Sequence, residues 1–406
     1  MNYQETIDWL YNQFPSYQSD GKIAYKKDIT NVLNFFKNNN EYYNYFKTIH
    51  VGGTNGKGSV SHILSSVLQE AGLKVGLFTS PHILDFRERI KINSEVIDQN
   101  FIVDFIQRHK VEFINTKMSF FEMNVALAFS YFYYKKVDFA VVEVGLGGRL
   151  DATNVITPKL SIITNVSIDH THLLGDSLDL ITAEKAGIIK KNIPVLVGEK
   201  NKCLDIILKK AHELNSPIFY SKKFQYDCQL KGDYQLNNIN TAVTAIDILN
   251  DFGCAISNQN IISGLSKVID NTGLLGRWQI ISKNPTVVCD IAHNVSAIKS
   301  LLNQIKTENK TKHLVLGFSS DKDYESIIAL LPKEYNYYIC GSLNKRIINP
   351  SKIEYIFINH NLSYKIFDYS YNAYEFISKK CTNHDLIIIT GSTFIVSDML
   401  KYLEKD

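Results

Sequence analysis

Between Gly52 and Gly58 the chain reads GGTNGKG, a loop with no bulky side chain and a single cation, Lys57. An apolar run at Lys47 to Val51 enters it, and a stretch of helical spacing leaves it near Ser59. Glycines let backbone N–H groups converge on phosphate oxygens, a helix N-terminus adds partial positive charge, and lysine adds a full one. The chemistry this predicts is the holding of a nucleotide's phosphates by Asn55, Gly56, Lys57, Gly58 and Ser59. The loop departs from the GxxxxGK[ST] pattern, because Val51 stands five positions before Gly56 and Gly58 follows Lys57. A hydroxyl for magnesium must then come from elsewhere.

Other reactive groups follow short apolar runs. FTSPHILDFRERI places Thr79, Ser80 and His82 after one such run, where Ser80 either ligates a metal or simply closes a turn. VDFAVVEVGLGGRLDATN delivers Glu143 from an otherwise apolar segment, and a buried carboxylate needs a cation. If that segment lies beside the one leading to Lys57, Glu143 is where a nucleotide's magnesium would sit. Arg149, Asp151 and Asn154 either orient a substrate or tie down the loop Gly145 to Gly148. SIITNVSIDHTHLLGD supplies Asn165, Asp169 and His170, with His170 either a surface residue or a ligand. Ser119 and Glu122 have the spacing of a capping box before a long apolar helix, and Phe120 and Phe121 fit a core. Lys185 in ITAEKAGIIKK reads from its neighbours as an ordinary helical lysine reaching for solvent.

The elements that must position these groups alternate in type. Lys47–Val51, Lys74–Thr79, Val137–Glu143, Leu160–Asn165 and Pro194–Val197 are apolar enough for strands covered on both faces, with helical segments between them. That grammar predicts parallel βα units in a doubly wound α/β sheet, whose carboxyl edge is the usual ligand site. RIKINSEVI adds a hairpin around Asn93 and Ser94. Strand signals resume at Thr286–Cys289, His313–Gly317, Tyr337–Cys340 and Leu386–Thr390, which predicts a second, smaller α/β domain. The polar stretch IDNTGLLGRWQIISKNP is the expected boundary, giving domains 1–273 and 274–406.

Composition excludes several classes. A chain of 406 residues exceeds one ordinary core and suits two domains. Apolar residues at 45%, charged residues at 21% and a formal charge of +3 describe a globular protein without the basic excess of a nucleic-acid binder. The six cysteines include no CxxC pair, so neither a zinc site nor a disulfide framework is expected and a reducing cytoplasm fits. No signal peptide and no membrane-spanning run is visible.

Together HVGGTNGKGS, TSPHILDFRERIKIN, SFFE, VEVGLGGRLDATN, DHTHLLGDSLDLITAEKAGIIK, GDYQLNNINTA, GRWQ, DIAHN, SDKD and ITGSTFIVSDML resemble the folylpolyglutamate synthase/dihydrofolate synthase family of the Mur ligase superfamily. The resemblance implies a P-loop ATPase domain followed by a Rossmann-like C-terminal domain, with ATP and two magnesium ions as cofactors. By motif it assigns phosphate binding to Asn55 through Gly58, and magnesium to Ser80, Glu143 and His170. Lys185 becomes a carbamylated metal ligand, while Asn238, Arg277 and Asp290 contact ATP with His293 close by. Dihydropteroate contacts are implied for the segment around Gly21, for Ser119, Phe120, Phe121 and Glu122, and for Leu150, Asp151 and Ala152. The implied reaction adds L-glutamate to dihydropteroate, to tetrahydrofolate or to both through an acyl phosphate. The expected partners are these small molecules, with no nucleic acid, no membrane and a monomeric chain. The alternatives are another Mur-type amino-acid ligase and an ATP-binding protein without ligase activity. A cell-wall Mur ligase would carry a nucleotide-sugar domain ahead of the loop, which here begins at Gly52.

Overall fold

A computed structural model of the chain describes residues 1–13 and 28–404. The described chain divides into two α/β units. The first comprises Met1–His82, Phe86–Gln229 and Gln235–Leu274, and the second Ile83–Asp85, Leu230–Tyr234 and Leu275–Asp406.

The first unit is built on β1 (Lys47–Gly52), β2 (Val75–Phe78), β3 (Ile90–Ile92), β4 (Glu95–Val96), β5 (Phe139–Glu143), β6 (Leu160–Ile163), β7 (Val195–Val197) and β8 (Ile218–Tyr220). Their order across the sheet is β4-β3-β2-β5-β1-β6-β7-β8. All neighbours run parallel except in the hairpin side, where β3 is antiparallel to both β2 and β4. The central strands are sealed on both faces, as their largely apolar composition requires, and the polar residues Thr48, His50, Glu143 and Ser161 among them are buried as well. Phe78, Ala140 and Val142 join one core with the helix Phe120–Lys135 and with Ile102, Phe105, Ile106 and Phe113 of the helix Gln99–Thr116. The helix Lys57–Glu70 packs against β2 and β5 and is itself covered by Gln235–Asp251 and Asn258–Ser266. That double cover explains why eleven consecutive residues, Gly58 to Leu68, are buried.

β1 and its two neighbours bring the candidate groups together. β1 lies between β5 and β6, with Val51 opposite Glu143 and Gly52 opposite Ile163. The adjacency on which the Glu143 reading depends is therefore present in the sheet.

The second unit holds β9 (Gln279–Lys283), β10 (Thr286–Cys289), β11 (Thr311–Leu316), β12 (Asn336–Cys340), β13 (Tyr364–Phe367) and β14 (Asp385–Thr390), in the order β13-β12-β11-β14-β10-β9. Only β9 is antiparallel. The polar stretch expected to be a loose boundary is structured: it contains β9, and Trp278 is buried in the second core. β8, β9 and β13 were not foreseeable as apolar runs, because edge strands are covered less completely; all three are mostly half-buried or exposed.

Candidate active site

The loop after β1 is shaped by two glycines with positive φ, Gly53 at 142° and Gly56 at 82°. Neither tolerates a side chain, since a Cβ on Gly53 would strike the Thr164 hydroxyl and one on Gly56 the Asn238 amide. The loop is fastened to the segment after β6. Thr54 N–H donates to Asn165 O at 2.9 Å, Asn55 N–H donates to Asn165 Oδ1 at 3.0 Å, and Thr164 Oγ1 donates to Asn55 O at 2.7 Å. The helix then starts at Lys57 with Gly56 as a cap that brings no side chain to its first-turn N–H groups, the end of a helix that favours an anion.

Two ammonium groups meet at one loop carbonyl. Lys57 Nζ donates to Gly53 O at 3.3 Å and to Thr54 O at 3.0 Å. Lys185 Nζ donates to the same Gly53 O at 2.9 Å. Lys185 is only 4% exposed, so the ordinary solvent-reaching lysine expected from its helical neighbours is corrected by the fold. The cause lies in glycine packing on both sides of it. A Cβ on Gly148 would fall 2.8 Å from Glu184 O, and one on Gly187 would run into the Arg149 backbone. This close approach, with Arg149 N–H donating to Glu184 O at 2.8 Å, draws the helix Leu178–Ala186 inward and turns Lys185 toward the loop.

Glu143 ends β5 opposite Val51, the residue that leads into the loop, and is 4% exposed. Its Oε2 accepts the Ser80 N–H at 3.2 Å, which joins the end of β2 to the end of β5. His170 stands at the same sheet edge, after β6, with φ at +52°. Its N–H donates to Asp169 Oδ1 at 2.8 Å, and its ring lies 6.3 Å from that of His172. Lys57 and Lys185 thus meet at one loop carbonyl and Glu143 joins Ser80 across two strand ends, while His170 follows β6, on the other side of β1 from Glu143.

Asp151 ties down the glycine loop. Its Oδ2 accepts Leu146 N–H at 2.8 Å and its Oδ1 accepts Thr153 N–H at 3.0 Å and the Thr153 hydroxyl. Burial, the largest influence, raises the Asp151 pKa above the usual aspartate value despite these donors. Asn154 Nδ2 donates at 3.0 Å to both Arg149 O and Gly187 O. Leu150 is half-buried and Ala152 buried beside them. Beneath this loop His50 Nε2 bonds the Thr153 hydroxyl at 2.9 Å, and complete burial, reinforced by the Lys190 charge, pushes the imidazole down to about 3.

Ser119 and Glu122 form the expected capping box, with Ser119 N–H donating to Glu122 Oε2 at 2.7 Å. Phe120 belongs to the core at 3% exposure. Phe121 is half-buried and fills the space left by Gly145. Beside them is an array that the sequence did not announce. Arg89 Nε donates to His82 Nδ1 at 2.8 Å, which leaves the His82 proton on Nε2, 3.1 Å from Tyr11 Oη. Tyr11 stacks on Phe120 at 5.1 Å, and the Arg89 guanidinium lies 5.4 Å from the same ring. Burial lowers the Arg89 pKa to about 10, still well above neutrality. The segment around Gly21 lies outside the described residues.

In the second unit, Asp290 follows β10 and is 4% exposed. Its Oδ2 accepts the Tyr234 hydroxyl at 2.6 Å and Trp278 N–H at 2.9 Å, and its Oδ1 accepts Ala292 N–H at 2.9 Å. His293 Nδ1–H donates to Ile291 O at 2.8 Å, fixing the tautomer that leaves Nε2 as an acceptor. Arg277 reaches Gly276 O at 3.2 Å. Within the first unit Asn238 accompanies the phosphate loop, its Nδ2 donating to Gln235 Oε1 at 2.8 Å.

A glycine-lined anion cradle with a buried carboxylate, on a parallel sheet, followed by a second α/β unit, is the architecture of a Mur-type ligase. The Mur ligase middle domain matches residues 51–231, and the Mur ligase glutamate ligase domain matches residues 276–393. Dihydrofolate synthase/folylpolyglutamate synthase of Buchnera aphidicola subsp. Schizaphis graminum is 31% identical over 94% of this chain and 91% of its own. Among solved structures, E. coli FolC in complex with DHPP and ADP superposes with a TM-score of 0.84 at 25% identity, covering 100% of this chain and 98% of that one. The Yersinia pestis bifunctional enzyme complexed with AMPPNP and Mn ion gives 0.86 at 25% identity, with the same coverage. The chain belongs to the dihydrofolate synthase/folylpolyglutamate synthase family, and it is an ATP-dependent ligase.

Proposed function

We propose that this chain forms an amide between a folate-type carboxylate, dihydropteroate or tetrahydrofolate, and the amino group of L-glutamate. The observation that carries the reading is the convergence of Lys57 and Lys185 on Gly53 O, in a loop whose strand lies directly beside Glu143. A substrate carboxylate oxygen attacks the γ-phosphorus of ATP, the bond to the bridging oxygen breaks, and ADP leaves with that electron pair. Lys57 and the loop N–H groups stabilise the charge that builds on the phosphoryl oxygens. Glutamate nitrogen then attacks the acyl carbon, phosphate departs, and the nitrogen loses its proton. The relatives solved with ADP, with AMPPNP and Mn, and with DHPP support each class of ligand.

The residues present fit a divalent cation. Glu143 is a nearly sealed carboxylate at the sheet edge that accepts the Ser80 N–H, and the Ser80 hydroxyl and the His170 imidazole are assigned as the groups that would complete the site with it. Bound among them, magnesium would neutralise phosphate charge. Lys185 carries the carbamylation reading because it is buried and shares its acceptor with a second ammonium. Adding CO2 to its neutral amine, with loss of one proton, would replace that repulsion by a carboxylate suited to a second ion. Asn55, Gly56, Gly58, Ser59 and Asn238 are assigned to ATP, as are Arg277, Asp290 and His293 of the second unit. The half-buried Phe121 and the Leu150 loop are assigned to the pteridine end, with Ser119 and Glu122 holding the helix that carries Phe121. The first 273 residues would form the ATPase domain and the remainder the amino-acid-ligating domain.

The test is ADP release measured with dihydropteroate and with tetrahydrofolate, each with and without glutamate. Glutamate-dependent release with at least one acid is expected. ATP binding with no such release would favour the non-ligase alternative.

A further inference from the structure

Away from Asp290, the second unit gathers three side chains with metal-binding chemistry. His313 stands on β11, Asp385 opens β14, and Cys381 lies in the loop just ahead of β14. β11 and β14 are parallel neighbours, Thr311 facing Asp385 and His313 facing Ile387, so the group sits toward the amino ends of these strands. Asp290 follows a carboxyl end, so the two positions belong to opposite edges of one sheet. One ligand atom from each of His313, Cys381 and Asp385 lies within 4.8 Å of the others. The His313 and Asp385 side chains are only 13% and 15% exposed, which shields the group without sealing it.

His313 and Asp385 are both oriented from behind. His313 Nε2 is 3.2 Å from Asp385 Oδ1, while its Nδ1 is 3.0 Å from Tyr338 Oη. Asp385 Oδ2 is held by the Thr382 N–H at 2.7 Å and the Thr382 hydroxyl at 3.0 Å, which leaves Oδ1 turned to the imidazole. Backing of this kind fixes the tautomer and orientation of metal ligands. Cys381 packs against the apolar cluster beneath β14, and burial first, then the Asp385 charge, pushes its thiol up to about 11.

We propose that His313, Cys381 and Asp385 form a three-ligand site for a borderline-soft divalent cation of the Zn2+ type, with water completing a tetrahedron. Binding releases one thiol proton to solvent, and the resulting thiolate and carboxylate with a neutral imidazole match a charge of two. Zinc bonds of about 2.0 to 2.3 Å put tetrahedral ligand atoms about 3.5 Å apart, a spacing His313 Nε2 and Asp385 Oδ1 already allow at 3.2 Å, which leaves the Cys381 sulfur, within 4.8 Å of the group, to be brought to that spacing. A rotation of the Cys381 side chain can supply that. A thiolate and an imidazole select Zn2+ or Co2+ over Mg2+, which keeps this site chemically separate from the oxygen-rich edge at Glu143.

The test uses the full chain, stripped with chelator and titrated with Co2+ in excess Mg2+. One tight equivalent showing tetrahedral d–d bands and a thiolate-to-cobalt charge-transfer band is expected, both erased by added Zn2+. Cys381→Ser should lose the charge-transfer band while keeping magnesium-supported ligase activity, and His313→Gln should weaken Co2+ binding by about tenfold or more. Absence of the charge-transfer band in the parent chain overturns the proposal. So does its persistence in Cys381→Ser, which would place the thiolate on another cysteine.

Discussion

The carboxyl edge of the first sheet and that of the second use polar groups differently. At the first, Lys57 and Lys185 bond carbonyls of the glycine loop, which Thr164 and Asn165 also tie to the segment after β6, and Glu143 lies on the strand next to it. At the second, Asp290 spends its oxygens on Tyr234, Trp278 and Ala292. That carboxylate organises backbone, including Trp278 at φ +46°, before it can act on anything else. The first edge gathers charge around a loop and the second commits its carboxylate to backbone, and their mutants should divide accordingly.

Lys57→Ala or Glu143→Ala should cost the largest effect, a loss of turnover of about a thousandfold or more, with folding retained. Steady-state ADP release beside a thermal melt checks this; an active Lys57→Ala enzyme would refute the first half of the comparison. Asp290→Ala should instead destabilise the second unit by about 3 kcal/mol, since it strands buried donors, in addition to any effect on catalysis. Denaturant unfolding measures it, and an unchanged midpoint would remove the structural role assigned to that carboxylate.

His50 sharpens the contrast further because it is a buried ionisable group the first sheet keeps neutral. Its folded pKa of about 3 lies below the unfolded value, so the unfolded chain takes up the proton first as pH falls. Stability due to this group is complete above the unfolded pKa and declines below it, by about 2 kcal/mol between about pH 7 and about pH 5. The difference between the parent chain and His50→Asn, followed by urea unfolding across that window, should show this slope. Equal slopes would mean the ring is protonated or exposed. Smallest is Ser119→Ala, which removes one half of a capping box and should cost about 1 kcal/mol with kcat little changed.

The groups most legible in the sequence were those that local rules specify. The strands β1, β5 and β10 are short runs rich in apolar and β-branched residues, the loop at Gly53 and Gly56 needs glycine for its backbone, and Ser119 with Glu122 has the spacing of a helix start. Edge strands such as β13 lacked that signal because solvent takes the place of one packing partner. Lys185 looked ordinary because its burial comes from Gly148 and Gly187, and the contact that turns it spans 132 positions of chain. The Arg89, His82 and Tyr11 array was equally hidden, since one of its bonds joins residues 71 apart and no periodicity connects them. In each case a tertiary approach, rather than a propensity, made the residue special.

The central claim is that the acid is activated by phosphoryl transfer at the Lys57 edge. Dihydropteroate, or tetrahydrofolate if that is the acid used, labelled with 18O in the carboxylate that is joined to glutamate, can be turned over with ATP and glutamate and the phosphate weighed by mass spectrometry. One labelled oxygen per phosphate released is the predicted result, because the carboxylate oxygen that attacks phosphorus leaves with it. Unlabelled phosphate accompanying amide formation would contradict the account.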